Sequence, residues 1–216
     1  MTTSPNTQNN MQKQILRIEA SISGDKGIST QITRELSEAL QNKYPDNALI
    51  VRNVITDAIP HFDASTIGHI KDGTAALADA LIEEVQAADI IIIAAPMYNF
   101  SVPSQLTTWF DHIARAGVTF QYTSKGPVGL LKGKKVYVVS TRGGMHKGKA
   151  SDVVTPYLNT ILGFVGLDED LKTIFVEGLN LSGDQPAQAI AQARQTIKTI
   201  QANKTTHPST EKEAVS

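Results

Sequence analysis

Asp89-Ile90-Ile91-Ile92-Ile93-Ala94-Ala95-Pro96-Met97-Tyr98-Asn99-Phe100-Ser101-Val102-Pro103-Ser104-Gln105 is the stretch that decides the fold. Four consecutive isoleucines leave a strand no polar face, so residues 89–95 read as a strand covered on both sides, the signature of a central parallel strand. Residues 104–116 then carry Leu106, Phe110, Ile113 and Ala114 on one helical face. The turn between them leaves the carboxyl end of a buried strand, where ligands bind in open α/β sheets. Its aromatics, amide and prolines suit a flat, partly polar ligand better than a plain surface loop.

The same alternation extends outward in both directions. Strands are expected at 15–20, 49–54, 135–140 and 173–177. Helices are expected at 27–41, with Ile28, Ile32, Leu36 and Leu40 on one face, and at 75–87, with Leu77, Leu81 and Val85. Two more are expected at 151–166, despite Pro156, and at 185–202. Strands alternating with helices mean an α/β fold: a doubly wound parallel sheet with helices on both faces and right-handed crossovers. The two common strand orders both place the site beside the first strand, where the turns after strands one, three and four converge. The connection 118–133 is long for a helix-to-strand link.

The 216 residues are 41% apolar and 19% charged, with net charge −1 and no cysteine. That composition is of an ordinary globular domain. The charge argues against nucleic acid or an acidic membrane as partner, and the missing cysteines exclude disulfides, thiolate catalysis and Cys-ligated metals. No apolar run reaches membrane length and no basic-then-apolar leader opens the chain, so a cytoplasmic location is expected. Residues 1–14 and 203–216 are polar and are expected to be mobile tails around a domain at 15–202.

The first turn, Ser21-Ile22-Ser23-Gly24-Asp25-Lys26-Gly27-Ile28-Ser29, runs from a strand into a helix N-terminus. It fits either a phosphate held by backbone N–H groups and hydroxyls or a plain helix cap. G-x-G-x-x-G is absent from it, and the lysine-rich segment at 129–135 lacks P-loop spacing and precedes a strand. The turn after the fourth strand, Thr141-Arg142-Gly143-Gly144-Met145-His146, pairs glycines that let backbone approach a ligand closely. Arg142 would add charge and His146 a donor; taken alone, a glycine pair is equally a simple loop. No H-E-x-x-H pair or G-x-S-x-G elbow occurs, so metal-assisted or serine hydrolysis is not expected.

Met97-Tyr98-Asn99-Phe100, Ala114-Arg115-Ala116-Gly117-Val118-Thr119-Phe120, Gly126-Pro127, Lys132-Gly133-Lys134-Lys135 and Arg142-Gly143-Gly144-Met145-His146 together resemble the FMN-dependent NADH-azoreductases of the flavodoxin-like quinone reductase superfamily. The resemblance implies a flavodoxin-like three-layer sandwich whose five parallel strands run in the order 2-1-3-4-5, with one FMN per subunit. It puts the phosphate at Ser21 and at Gly27, Ile28 and Ser29, where the family's Ser-x-Ser has lost its first hydroxyl. It puts the ring at Met97, Tyr98, Asn99 and Phe100 and at Thr141, Arg142, Gly143 and Gly144, where threonine stands for the usual serine. The implied activity is two-electron transfer from NADH or NADPH through flavin to quinones and azo compounds, in a ping-pong exchange. No residue is then certainly catalytic; Asn99 and His146 are the candidates that tune the flavin, and no metal is called for.

The resemblance also implies a homodimer with FMN sites at the interface. The excursion 118–133 would pack on the second copy, with Tyr122 and Phe164 as substrate-side candidates. Its alternative is a satellite cluster folded on its own core. His61, His69, His112 and His207 show no ligand spacing, and His112 is expected to be solvated or capped. Trp109 is read as packing, and the loop at 60–63 as a possible cover for the site mouth. A flavodoxin-type electron carrier and a flavin-binding regulatory protein are the alternatives to the enzyme.

Overall fold

In the computed structural model, which describes residues 13–203, the isoleucine run forms β3 (Ile90–Ala94), every residue of which is buried. β3 lies at the centre of a parallel sheet with β1 (Gln14–Glu19), β2 (Ala48–Asn53), β6 (Lys135–Thr141) and β7 (Asp170–Val176). The spatial order is β2-β1-β3-β6-β7. With the hairpin strands described below set aside, this is the expected 2-1-3-4-5.

Alternate residues of β3 enter two different cores, which is why neither face tolerates a polar residue. Ile91 and Ile93 pack with Leu81 and Val85 of α3 (Ala76–Ala87), Phe110 of α4 (Ser104–Ile113) and Leu162 of α5 (Val154–Val165). Ile90 and Ile92 pack with Ile32 and Leu36 of α1 (Ile28–Lys43) and Ala193 and Ile197 of α6 (Gln185–Ala202). Helices thus cover both faces in three layers. Pro156 is the third residue of α5, where the N–H it lacks has no intrahelical partner in any case.

Several elements depart from expectation. Leu77, read as core-facing, is 37% exposed. The last strand opens at Asp170 rather than 173, and Leu171 and Lys172 lie at the sheet edge without full burial. α2 (Ala64–Lys71) was not expected; it buries no residue, so it leaves no apolar period to read, and it starts at an Asp63 cap that accepts the Thr66 N–H at 2.8 Å. Residues 118–133 contain an antiparallel hairpin, β4 (Phe120–Thr123) and β5 (Gly126–Gly129). No helix among the described residues is long and apolar enough to cross a membrane. Of the tails expected at 1–14 and 203–216, residues 1–12 and 204–216 lie outside the described residues, while Gln14 opens β1 and Asn203 caps α6.

Candidate functional site

Because β1, β3 and β6 are neighbours, the turns leaving their carboxyl ends meet around a cavity of about 410 Å³. That is within the usual size range of small-molecule sites.

The first wall is built by the β1–α1 turn. Ser21 is buried, and its Oγ accepts the Ser23 N–H at 3.3 Å and lies 3.4 Å from the Tyr98 hydroxyl. Gly27 stands at the N-cap of α1 and supplies no side-chain cap, and the first turn holds no acidic residue. The first intrahelical bond runs from Gln31 N–H to the Gly27 carbonyl at 3.0 Å, so the N–H groups of Ile28, Ser29 and Thr30 have no helical acceptor. Ser29 lines the cavity, is 1% exposed, and its Oγ has no hydrogen-bond partner among the described residues. Uncapped N–H groups, an orphaned hydroxyl and a positive helix dipole end together make an anion site.

The second wall is the β3–α4 turn. Met97 N–H donates to the Thr141 carbonyl at 2.8 Å, carrying the β3–β6 ladder into the site. Tyr98 and Ser101 exchange backbone bonds of 2.8 and 3.0 Å around a two-residue tip. At that tip Asn99 has φ 50° and Phe100 φ 62°, the left-handed pair of a type I′ turn. Asparagine tolerates this geometry, but an aromatic rarely adopts it; such strain concentrates at ligand sites. The N–H groups of Asn99 and Phe100 have no acceptor among the described residues. Phe100 is 57% exposed, its ring edge-on to His146 at 5.7 Å.

The third wall is the turn after β6. The carbonyls of Gly143 and Gly144 accept from Asn180 and Gly178 at 2.9 and 3.0 Å, while their N–H groups have no acceptor among the described residues. Both glycines sit in close quarters: a Cβ at Gly143 would stand 2.5 Å from Asn180 Nδ2, and one at Gly144 2.8 Å from His146 Nε2. His146 Nδ1 pairs with Ser151 Oγ at 2.9 Å.

Arg142 corrects one expectation. It lines the cavity wall, but its fully buried guanidinium is taken up by protein groups. It bonds Glu177 at 3.2 Å, Asp152 at 2.9 Å and Thr155 Oγ1 at 2.7 Å. The same Glu177 oxygen accepts the backbone N–H groups of His146 and Lys147, each at 2.8 Å. Burial pushes the Asp152 carboxyl up, but the Arg142 guanidinium and Thr155 outweigh it and hold Asp152 below the usual carboxylate range. The cluster fixes the glycine turn from behind and offers the cavity no charge.

Of the residues read from sequence, Ser21, Gly27, Ile28 and Ser29 line one end of the cavity, and Met97, Tyr98, Thr141 and Gly143 the other. Asn99, Phe100 and Gly144 continue the same turns. Tyr122 and Phe164 do not line it: Tyr122 is 74% exposed on the hairpin, and Phe164 packs on Phe120 at 4.1 Å. His112 is 3% exposed, not solvated, and donates from Nε2 to the Pro60 carbonyl at 2.9 Å. The loop at 60–63 packs on α4, with Phe62 edge-on to His112 at 5.5 Å, and lines no part of the cavity. Sequence reasoning missed Lys26, the turn after β7 with Leu179 and Asn180, and the first turns of α6 with Pro186 and Ile190, which complete the lining. Placing β7 beside β6 would have revealed that turn, since its residues then adjoin the glycine pair.

A family model described as having the flavodoxin-like fold matches residues 13–200. An FMN-dependent NADH:quinone oxidoreductase of Saccharophagus degradans is 51% identical over 196 residues, spanning 87% of this chain and 93% of its own. FMN-dependent NADH:quinone oxidoreductase 6 of Burkholderia lata is 48% identical over 193 residues, spanning 85% and 97%. Among solved structures, an FMN-dependent NADH-azoreductase from Bacillus anthracis in complex with FMN superposes with a TM-score of 0.78 at 20% identity, covering 88% of this chain and 98% of that one. At that identity the likeness speaks for the fold alone.

Proposed function

The chain belongs to the flavodoxin-like family of FMN-dependent NADH:quinone oxidoreductases, and from that premise we propose that it passes two electrons from NADH through FMN to quinone and azo acceptors in a ping-pong exchange. The observation that carries the reading is the two-ended cavity. One end offers uncapped N–H groups and the orphaned Ser29 hydroxyl to an anion; the other offers the Tyr98 ring, Met97 and the unpaired Gly143 N–H to a flat polar ring.

FMN, when bound, supplies the two-electron chemistry. The protein binds and orients. The α1 N-terminus, Ser21 and Ser29 hold the phosphate. Tyr98 and Met97 flank the ring, and the N–H of Asn99 is presented by a left-handed turn that fixes its direction. The N–H groups of Gly143 and Gly144 are oriented donors where negative charge develops on reduction. His146, its ring held by Ser151, supports the same edge. No side chain is required as general acid, since water reaches an open site.

The homodimer belongs to the same proposal. The hairpin exposes Tyr122 and Val128 on its strands, at 74% and 42%, apolar surface of the kind that packs on a second copy and walls its acceptor site. Steady-state rates measured against NADH at several fixed quinone concentrations should give parallel double-reciprocal lines, with an azo dye accepted in place of the quinone. Intersecting lines would rule out the ping-pong exchange, and negligible turnover would point to an electron carrier.

A further inference from the structure

We propose that Lys26 selects the phosphorylated flavin in this chain, taking over from a hydroxyl that position 27 cannot carry. The inference rests on the flavin reading above. A Cβ at Gly27 would run into Ser21 Oγ, and would stand 2.7 Å from Ser21 Cβ and 3.2 Å from the Gly24 carbonyl. Ser21 is itself buried at the cavity wall and hydrogen-bonded, so it has little room to yield. A serine at position 27 would therefore displace another phosphate-side serine instead of adding a donor.

The residue before it is a lysine that lines the same cavity. Its ammonium forms no ion pair or hydrogen bond among the described residues. The nearest acid in sequence, Asp25, is held by Arg34 at 2.6 Å, and Arg34 also bonds Glu19 at 3.1 Å. Asp25 is thus neutralised on its own side and leaves Lys26 uncommitted. Lys26 belongs to the short 3₁₀ turn Gly24–Lys26, with its N–H bound to the Ser23 carbonyl at 3.1 Å, so its backbone is fixed while the side chain is exposed. A flexible ammonium beside uncapped helix N–H groups and the orphaned Ser29 hydroxyl recognises a phosphate as a point charge.

The test is fluorescence titration of the full-length chain, freed of flavin, with FMN and with riboflavin, which lacks the phosphate. Lys26→Gln should weaken FMN binding roughly five- to twentyfold, the scale of one charge-assisted contact partly screened by water. It should leave riboflavin affinity within about twofold and flatten the salt dependence of FMN binding. Lys26→Arg should retain the preference for FMN, and adding Gly27→Ser to Lys26→Gln should not restore it. Equal losses for both flavins would mark Lys26 as merely structural, and an unchanged FMN affinity would show that the N–H groups and Ser29 suffice; either overturns the inference alone. Wild-type protein that binds neither flavin would overturn the flavin reading and this inference with it.

Discussion

Arg142 shows how far a residue's role can depart from its neighbours in sequence. Flanked by Thr141 and Gly143, it reads as a charge held toward a ligand, yet its guanidinium is buried against Glu177, Asp152 and Thr155. The glycines were legible because close backbone approach demands them whatever surrounds them. The direction of Arg142 was not, because it depends on Glu177, which follows the last strand and comes near only through the β6–β7 pairing. Arg142→Met would leave two buried carboxylates without their cation. It should cost about 3–5 kcal/mol of stability, read by urea unfolding, and should weaken FMN retention as the Gly143–Lys147 backbone loosens. A stable variant that keeps its flavin would contradict the role given to the cluster.

At the scale of elements, the sequence left the excursion 118–133 open between packing on a partner and packing at home, and the base of the hairpin is built into its own core. Its base is anchored at home: Phe120 lies on Phe164, Leu131 is 3% exposed, and the Leu131 N–H donates to the Val165 carbonyl at 3.0 Å. Gly129 meets the backbone of Val165 and Gly166 so closely that neither glycine has room for a Cβ. Beyond this base, residues 121–125 and 127–128 are left exposed. Gly129→Ala should therefore cost at least about 1–3 kcal/mol, as overpacking against rigid backbone does, seen as a lower urea midpoint with an unchanged slope. A variant as stable as wild type would mean the hairpin yields without penalty. The long helices were legible because α1, α4 and α6 each press an apolar stripe on the sheet; α2 buries nothing and left no such trace.

Over the whole molecule, the strand order is what turns scattered motifs into a site. Turns separated by scores of residues meet because β1, β3 and β6 are adjacent, and that much followed from the alternation of elements. The turn after β7 escaped because its contribution lies in backbone pairing with the glycine turn, which no single residue announces. The same framework sets the acid limit of stability. Burial pushes Asp89 up, but the Gln14 N–H and Lys13 outweigh it, so Asp89, like Asp152, is held below the ordinary carboxylate range. The unfolded chain then binds more protons, so this stabilisation is present above the ordinary carboxylate value and is lost as pH falls through the depressed folded values. Urea midpoints measured from pH 6 down to pH 3, about the span of carboxylate titration, should hold and then fall; a midpoint that rises on acidification would contradict the assignment. The central claim, that the three turns hold a flavin reducible by NADH, is met most directly in one anaerobic cuvette. The account predicts a protein with flavin absorbance that bleaches on adding NADH and returns on adding a quinone. Flavin that stays oxidised under NADH, or a chain that takes up no FMN, would contradict it.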